Sequence, residues 1–160
     1  MALPFTAGQR VLASDLNTAT QQGVWTSYAV AWTSSGTAPA VGNGTLVGYY
    51  AKVGRLVTVK ISLTTGSTTT YGTGNYTFST PFTAAVTGVA TSAIAHTGEW
   101  TMLNNGVTFY TASAAILQSL PGQIIGLVNN SATFMGATNP ATWTGSGSQF
   151  ACTITYESTS

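Results

Sequence analysis

Residues 42–67, GNGTLVGYYAKVGRLVTVKISLTTGS, decide the fold of this chain. Gly54 lies between two runs rich in β-formers, and glycine supplies the backbone freedom that a tight hairpin needs. In the second run, apolar residues alternate with polar ones, which is typical of a strand with one buried face: Val57, Val59, Ile61 and Leu63. The stretch therefore predicts an antiparallel hairpin with strands near 45–52 and 55–64.

The rest of the chain after residue 23 has the same character, with Thr, Val and aromatic residues interrupted by Gly, Asn or Pro. Residues 100–110, WTMLNNGVTFY, place Asn105-Gly106 between two alternating segments and predict a second hairpin. Residues 113–120, SAAILQSL, fit either a helical turn or a strand. We predict further strands near 24–33, 74–80, 86–95, 99–104, 107–112, 122–128 and 148–157.

This pattern of many short strands indicates the fold class. Neither helical periodicity nor an internal repeat is visible after residue 23, which argues against solenoids and propellers. We therefore expect a mainly β protein, an antiparallel β-sandwich of jelly-roll type, over residues 24–160.

Residues 1–23 differ from the rest of the chain and predict an N-terminal arm followed by a short helix. Ser14 suits the N-cap and Gly23 the C-terminal stop. A helix this short is not stable alone and must dock on its own domain or on a neighbour. The apolar residues that this segment offers for such contacts are Leu3, Phe5, Val11, Leu12 and Leu16.

The charge content excludes several classes of partner. The 160 residues include only four basic and three acidic side chains, so the chain lacks the basic patch that nucleic-acid binding requires. No apolar run is long enough to cross a membrane, and the N-terminus does not have the pattern of a signal peptide. We expect neither nucleic acid nor membrane as a partner, and a neutral surface rich in hydroxyl groups.

The residues available for catalysis are few and scattered. Glu99 and Glu157 are the only carboxylates that could form a glycosidase pair, and His96 could bond Glu99 but has no GxSxG serine to activate. A metal site needs three or four clustered ligands, which the sequence does not provide. Cys152 alternates with apolar residues and is expected to be a small buried hydrophobe. We expect a protein without enzymatic activity, cofactor or metal.

Surface recognition is the function class that remains. Aromatic rings on a hydroxyl-rich surface can stack on sugars, and our candidates are Tyr71, Trp100 and Trp143, although most aromatic residues of a sandwich lie in its core.

The basic residues of the first hairpin, Lys52, Arg55 and Lys60, have two interpretations. They could protect an exposed strand edge from pairing with other chains. Alternatively, they could meet an acidic partner protein.

The pattern WTSYAVAWTSSGTAPAVGNGTLVGYYAKVGRLVTVKISL resembles a head domain of tail-fibre, minor tail and other surface proteins of bacteriophages. The resemblance continues through TFSTPF and through PATWTGSGSQFACTITYES, and it covers most of residues 25–158. The N-terminal FTAGQRVLASDLN is similar to the short anchor that precedes such domains. The matching motifs are structural, and none is catalytic.

This resemblance implies a virion structural protein, commonly a homotrimer, on the virion surface. Residues 1–23 would attach it to the major capsid protein or to tail proteins, and the β-domain would face outward. Because no shaft separates arm and head, we expect a capsid decoration or head-fibre protein. The alternative is a tail-tip protein that binds host surface carbohydrate. In the outward head, we expect Thr68, Thr69 and Thr70 to tolerate substitution, because a polar loop tip contributes little packing.

Overall fold

The computed structural model describes residues 23–88, 90, 93–129, 131 and 133–160. Strands are the only regular elements in these ranges: β1 Thr26–Tyr28, β2 Trp32–Ser34, β3 Thr45–Val53, β4 Leu56–Thr64, β5 Tyr76–Ser79, β6 Ile94–Asn104, β7 Thr108–Leu117, β8 Gln123–Val128 and β9 Gln149–Glu157. The mainly β prediction is confirmed. The predicted N-terminal helix and the five apolar contact residues of the arm lie outside the described residues.

The nine strands form one antiparallel sheet with the order β1-β3-β4-β9-β6-β7-β8-β5-β2. The strands at its two ends, β1 and β2, are consecutive in the chain. The hydroxyl of Tyr28 in β1 donates to the carbonyl of Ser79 in β5 at 3.1 Å, although six other strands lie between β1 and β5 in the strand order. The sheet is therefore curled, so that its two ends approach each other.

The core fills the concave side of this curled sheet. The predicted alternation of β4 is confirmed, and β9 follows the same pattern with Phe150, Cys152, Ile154 and Tyr156 buried. Trp32 of β2 and Phe150 of β9 lie with ring centroids 6.4 Å apart, which brings opposite parts of the sheet into one core. Aromatic contacts thus do much of the packing that Leu and Ile do in other proteins.

Both predicted hairpins are present. In the first, Val53 pairs with Leu56 across a turn in which Gly54 adopts a φ of 60°. In the second, Asn104 pairs with Thr108, and Gly106 adopts a φ of 74°. Residues 113–117, which fit either helix or strand by sequence, continue β7.

Two strand predictions are wrong. Residues 24–33 form no continuous strand, because residues 29–31 carry the chain from β1 at one end of the sheet to β2 at the other. Residues 86–88, 90 and 93 lie outside strands, and the strand starts only at Ile94. Gly88 has a φ of 81°, and the preceding loop is held by Ala85, whose amide donates to the carbonyl of Glu157 at 2.7 Å.

A smaller apolar cluster lies on the convex side of β7 and β8. It is formed by Ala115, Leu117 and Ile125, with Leu120, Leu127 and Phe134 packed against it. The loop after β8 covers this cluster, because Leu127 and Phe134 form an isolated β-bridge.

The strand register defines two ends of the domain. The proximal end contains Gly23, the turn at 53–56 and residues 157–160, because Gly23 donates to the carbonyl of Lys52 and Leu56 pairs with Glu157. The distal end contains the loops 35–44, 65–75, 105–107 and 133–148, because Thr64 pairs with Gln149 and Leu103 also pairs with Gln149.

Candidate functional site

The structure does not bring the candidate catalytic residues together. Glu99 pairs with Thr153, so the four residue steps from Thr153 to Glu157 separate the two glutamates by about 13 Å along β9. The two carboxyl groups of a glycosidase lie roughly 5–9.5 Å apart. His96 and Glu99, three residues apart on β6, face opposite sides of the strand: His96 bonds the carbonyl of Ala85 at 2.9 Å and packs against Tyr156.

The described residues contain no group of three or more His, Cys, Asp or Glu side chains placed to hold a metal ion. Cys152 is buried, as predicted, and burial raises the pKa of its thiol well above the ordinary value. Such a thiol stays protonated at neutral pH, so it is a poor nucleophile and a poor metal ligand.

The basic residues of the first hairpin have partners within the domain. Arg55 forms an ion pair with Glu157 at 3.1 Å, and its Nε donates to the carbonyl of Ser158 at 2.9 Å. The Nζ of Lys52 donates to the carbonyl of Ser160 and lies 4.4 Å from the ring centroid of Phe82. Two of the three cations therefore hold the C-terminal residues at the proximal end.

Edge protection does not explain Lys60. Lys60 lies on β4, which is paired with β3 on one side and β9 on the other, so it is not at an edge. Its Nζ lies 4.3 Å from the ring centroid of Trp25, which makes a cation–π contact. Because Arg55 and the two lysines face partners in their own chain, an acidic partner protein would have to compete with these contacts.

Two of the three candidate sugar-stacking residues are wrong. Trp100 is 0% exposed and donates to the carbonyl of Ile125, and Trp143 is 3% exposed and donates to the carbonyl of Gly136. Both indole rings belong to the core cluster and cannot offer a face to a sugar. Among the described aromatic residues, the more exposed ones are Trp25, Tyr49 and Phe109.

Tyr71, the third candidate, is half-buried and lines a cleft at the distal end. The cleft has a volume of about 510 Å³ and lies between two loops that are far apart in sequence. Its lining consists of Gly66, Ser67, Thr69, Tyr71, Trp143, Thr144, Gly145 and Ser146. We call it the distal cleft.

Hydrogen bonds hold the two walls of the distal cleft together. The hydroxyl oxygen of Tyr71 lies 2.9 Å from the carbonyl of Gly145 and 3.1 Å from Oγ1 of Thr65. The amide of Gly147 donates to the carbonyl of Thr65 at 2.8 Å, and the amide of Thr65 donates to the carbonyl of Ser148 at 2.9 Å. On the far side, Nδ2 of Asn105 donates to the carbonyl of Ser146.

Thr68 and Thr70 are exposed, which fits the expectation of little packing at the 68–70 loop, but the loop is hydrogen-bonded to its neighbour. Oγ1 of Thr68 accepts from the amide of Asn43 at 2.9 Å, and the amide of Thr68 donates to Oδ1 of the same asparagine. Oγ1 of Thr69 donates to the carbonyl of Val41, and Thr70 pairs with Ala40 through both backbone groups. The threonines of this loop thus fasten it to the loop before β3.

Charge is distributed unevenly between the two ends. Lys52, Arg55 and Glu157 lie at the proximal end, and Lys60 and Glu99 lie within strands. The four distal loops contain no Asp, Glu, Lys, Arg or His. The polar groups of these four loops are therefore hydroxyl, amide and backbone groups alone.

A second groove lies on the convex face of β3, β4 and β9. It is lined mainly by apolar atoms, with Val47 and Tyr49 on one side, Lys60 in the middle and Ala151 on the other side. Its character differs from that of the distal cleft, which mixes polar and apolar groups.

The distal cleft contains residues that the sequence analysis missed, above all Thr144 and Ser146. The local signal is the WTGSGS run at 143–148, in which Gly145 and Gly147 have φ values of 76° and 82°. Glycines of this kind predict a turn, but nothing local indicates that the turn lies beside Tyr71.

Comparisons of the chain with protein-family models, with curated proteins and with solved structures found no match. Within the described ranges, no helix is long and apolar enough to span a membrane.

Proposed function

We propose that this protein is a non-enzymatic structural protein of a bacteriophage particle, an outward-facing capsid decoration or head-fibre protein attached through residues 1–23. The observation that carries the proposal is the difference between the two ends of the domain. Gly23 joins the β-domain at the proximal end, and the uncharged loops lie at the opposite end. A chain held by residues 1–23 would therefore present the distal loops to the surroundings.

Exposed apolar side chains at the proximal end support attachment there. Val24, Val53 and Leu56 are 57%, 50% and 55% exposed. Exposed apolar clusters are common where proteins contact partners, and these three adjoin the point at which residues 1–22 continue the chain. Burial against the major capsid protein or a tail protein would yield about 25 cal/mol per Å² of apolar surface.

The proposed architecture is a sandwich of jelly-roll type, with the curled sheet bent into two facing walls. The contact of Trp32 in β2 with Phe150 in β9 supports this arrangement, because it joins strands that lie far apart in the sheet order. A homotrimer on the virion surface fits a small domain that must gain avidity from several attachment points.

A second candidate is a tail-tip protein that recognises host surface carbohydrate. The observation that favours it is the distal end, whose loops contain hydroxyl groups and no charged side chain. Both candidates place the distal end outward, and they differ in the particle component that holds residues 1–23.

Incorporation into particles of the phage that encodes the chain tests the proposal. Deletion of residues 1–13, or Leu12→Asp in the full chain, should abolish incorporation while the far-UV circular dichroism stays unchanged. Thr138→Arg, an exposed change at the distal end, is the control and should leave occupancy at the wild-type level. If the deletion variant still occupied the particles fully while the Thr138→Arg variant was missing from them, the protein would be attached through its distal end, contrary to the proposal.

A further inference from the structure

The distal cleft has the size and composition of a small-ligand site. Its volume of about 510 Å³ falls within the roughly 300–1,000 Å³ of typical ligand sites. Its lining combines the half-buried side chain of Tyr71 with the hydroxyl groups of Ser67, Thr69, Thr144 and Ser146. An ion would find no opposite charge in this part of the molecule, because the four distal loops contain no charged residue.

Several of these hydroxyl groups are available to a ligand. Thr69 Oγ1 is used within the chain, since it donates to Val41 and accepts from the amide of Gly66. Ser67 Oγ accepts from Asn43 Nδ2, which leaves its hydrogen free to donate. Within the described part of the chain, the hydroxyl groups of Thr144 and Ser146 make no hydrogen bond, and only the backbone carbonyl of Ser146 is engaged.

Hydroxyl groups complement other hydroxyl groups, because each can both donate and accept. A sugar ring adds an apolar face of C–H groups, which fits an aromatic ring such as that of Tyr71. A charged ligand would lose solvation in the cleft without gaining an ion pair. The chemistry of the cleft therefore favours a ligand that is neutral, polyhydroxylated and partly apolar on one face.

The cleft is also ordered before any ligand arrives. Tyr71 joins its two walls, and the amide of Gly147 and the side chain of Asn105 hold the 143–148 loop from both sides. A site whose loops are already tied loses little conformational freedom on binding.

We propose that the distal cleft binds a neutral oligosaccharide, with one sugar ring against Tyr71 and its hydroxyl groups bonded to Thr144, Ser146 and Ser67. The inference rests on the second candidate function, for which it gives the site and the class of ligand, and it does not depend on how residues 1–23 attach the protein. Sugar binding is measured with the purified protein, whereas attachment is measured by occupancy of particles, so either can fail alone.

The test uses the full-length protein on an array of neutral and acidic bacterial surface polysaccharides. We expect the neutral polysaccharides on the array to retain the protein more strongly than the acidic ones do. Titration with the neutral glycan that binds best should shift the amide resonances of Gly66, Tyr71 and Gly145 in a saturable manner. Shifts confined to Val47 and Tyr49, in the groove on the convex face, would overturn the proposal.

Two arginine variants provide the matched pair. Thr144→Arg places a long charged side chain in the cleft from an exposed position and should weaken binding at least tenfold. Thr138→Arg makes the same change on an exposed distal residue outside the cleft and should bind as the wild type does. Equal binding by the Thr144 variant and the wild type, or no retention by any neutral glycan, would also overturn the proposal.

Discussion

Gly98 shows how closely β6 approaches β9 in the middle of the sheet. A Cβ at this position would lie 2.3 Å from the carbonyl oxygen of Thr153 and 2.7 Å from Cβ of Ile154. Both contacts are with a central strand that is paired on both sides, so the backbone has little room to move. A Cβ at Gly122, by contrast, would meet no heavy atom within 4 Å apart from those of its chain neighbours.

The first prediction compares alanine at these two glycines. Gly98→Ala should lower the free energy of unfolding by about 1–3 kcal/mol, the usual cost of forcing extra atoms into a packed site. Gly122→Ala should change it by no more than about 0.5 kcal/mol. Guanidinium unfolding followed by tryptophan fluorescence measures both. Equal stability of the two variants would contradict the close approach of β6 to β9 at Gly98.

At the scale of elements, the distal loops are joined by a few side chains. Tyr71 connects the loop after β4 to the loop before β9, and its backbone carbonyl accepts from the hydroxyl of Tyr76 at 2.7 Å. Tyr110 packs its ring against Trp143, and its hydroxyl makes no hydrogen bond to a described residue. Replacing each tyrosine in turn with phenylalanine therefore distinguishes the hydrogen bond between the loops from the packing of the ring.

The second prediction is that Tyr71→Phe loosens the 143–148 loop, because the link to Gly145 and Thr65 is lost. A hydrogen bond of this kind contributes about 1 kcal/mol, which corresponds to roughly fivefold faster amide exchange. Hydrogen exchange at Gly147 measures the effect. Tyr110→Phe serves as the control and should leave the exchange rate of Gly147 unchanged; an equal increase in both variants would contradict the role given to the Tyr71 hydroxyl.

For the whole molecule, buried phenol and thiol groups couple stability to alkaline pH. Burial raises the pKa of Tyr28, Tyr76 and Tyr156, and it also raises the pKa of Cys152. In the unfolded chain these groups ionise near their ordinary values, 10.0 for tyrosine and 9.0 for cysteine. The unfolded state then binds fewer protons than the folded state, so stability falls as pH rises.

The third prediction is that the free energy of unfolding decreases as pH rises from about 9, first through Cys152 and then through the tyrosines. Each group contributes at most about 1.4 kcal/mol per pH unit while it is ionised only in the unfolded state. Denaturant unfolding at pH 8, 10 and 11 measures the decrease. Cys152→Ala should show a smaller loss between pH 8 and 10 than the wild type, and an identical loss would argue that the thiol is accessible to solvent.

The fourth prediction concerns assembly, also at the scale of the whole molecule. The full chain should form a homotrimer at micromolar concentration, because the short helix that the sequence predicts within residues 1–23 would need a docking surface. Light scattering coupled to size exclusion measures the mass. A well-folded chain with the mass of one subunit would contradict the proposed trimer.

The sequence alone determined the features that depend on neighbouring residues. Period-two alternation predicted which side chains of β4 and β9 are buried, and glycines that favour positive φ predicted both hairpins. These signals are local because strand faces alternate at every residue and a turn involves only about four residues. The scarcity of charge likewise predicted a neutral surface rich in hydroxyl groups.

Only the tertiary structure decided the features that depend on residues far apart in the chain. The order of the strands buried Trp100 and Trp143, gave the basic residues of the first hairpin partners within the chain, and broke the predicted 24–33 strand into two. The distal cleft pairs residues 66–71 with 143–146, and Tyr71 bonds Gly145 across 74 positions of sequence. Local pattern carries no information about which loops the curled sheet brings together, because that depends on how the strands pair and on how the shared core packs.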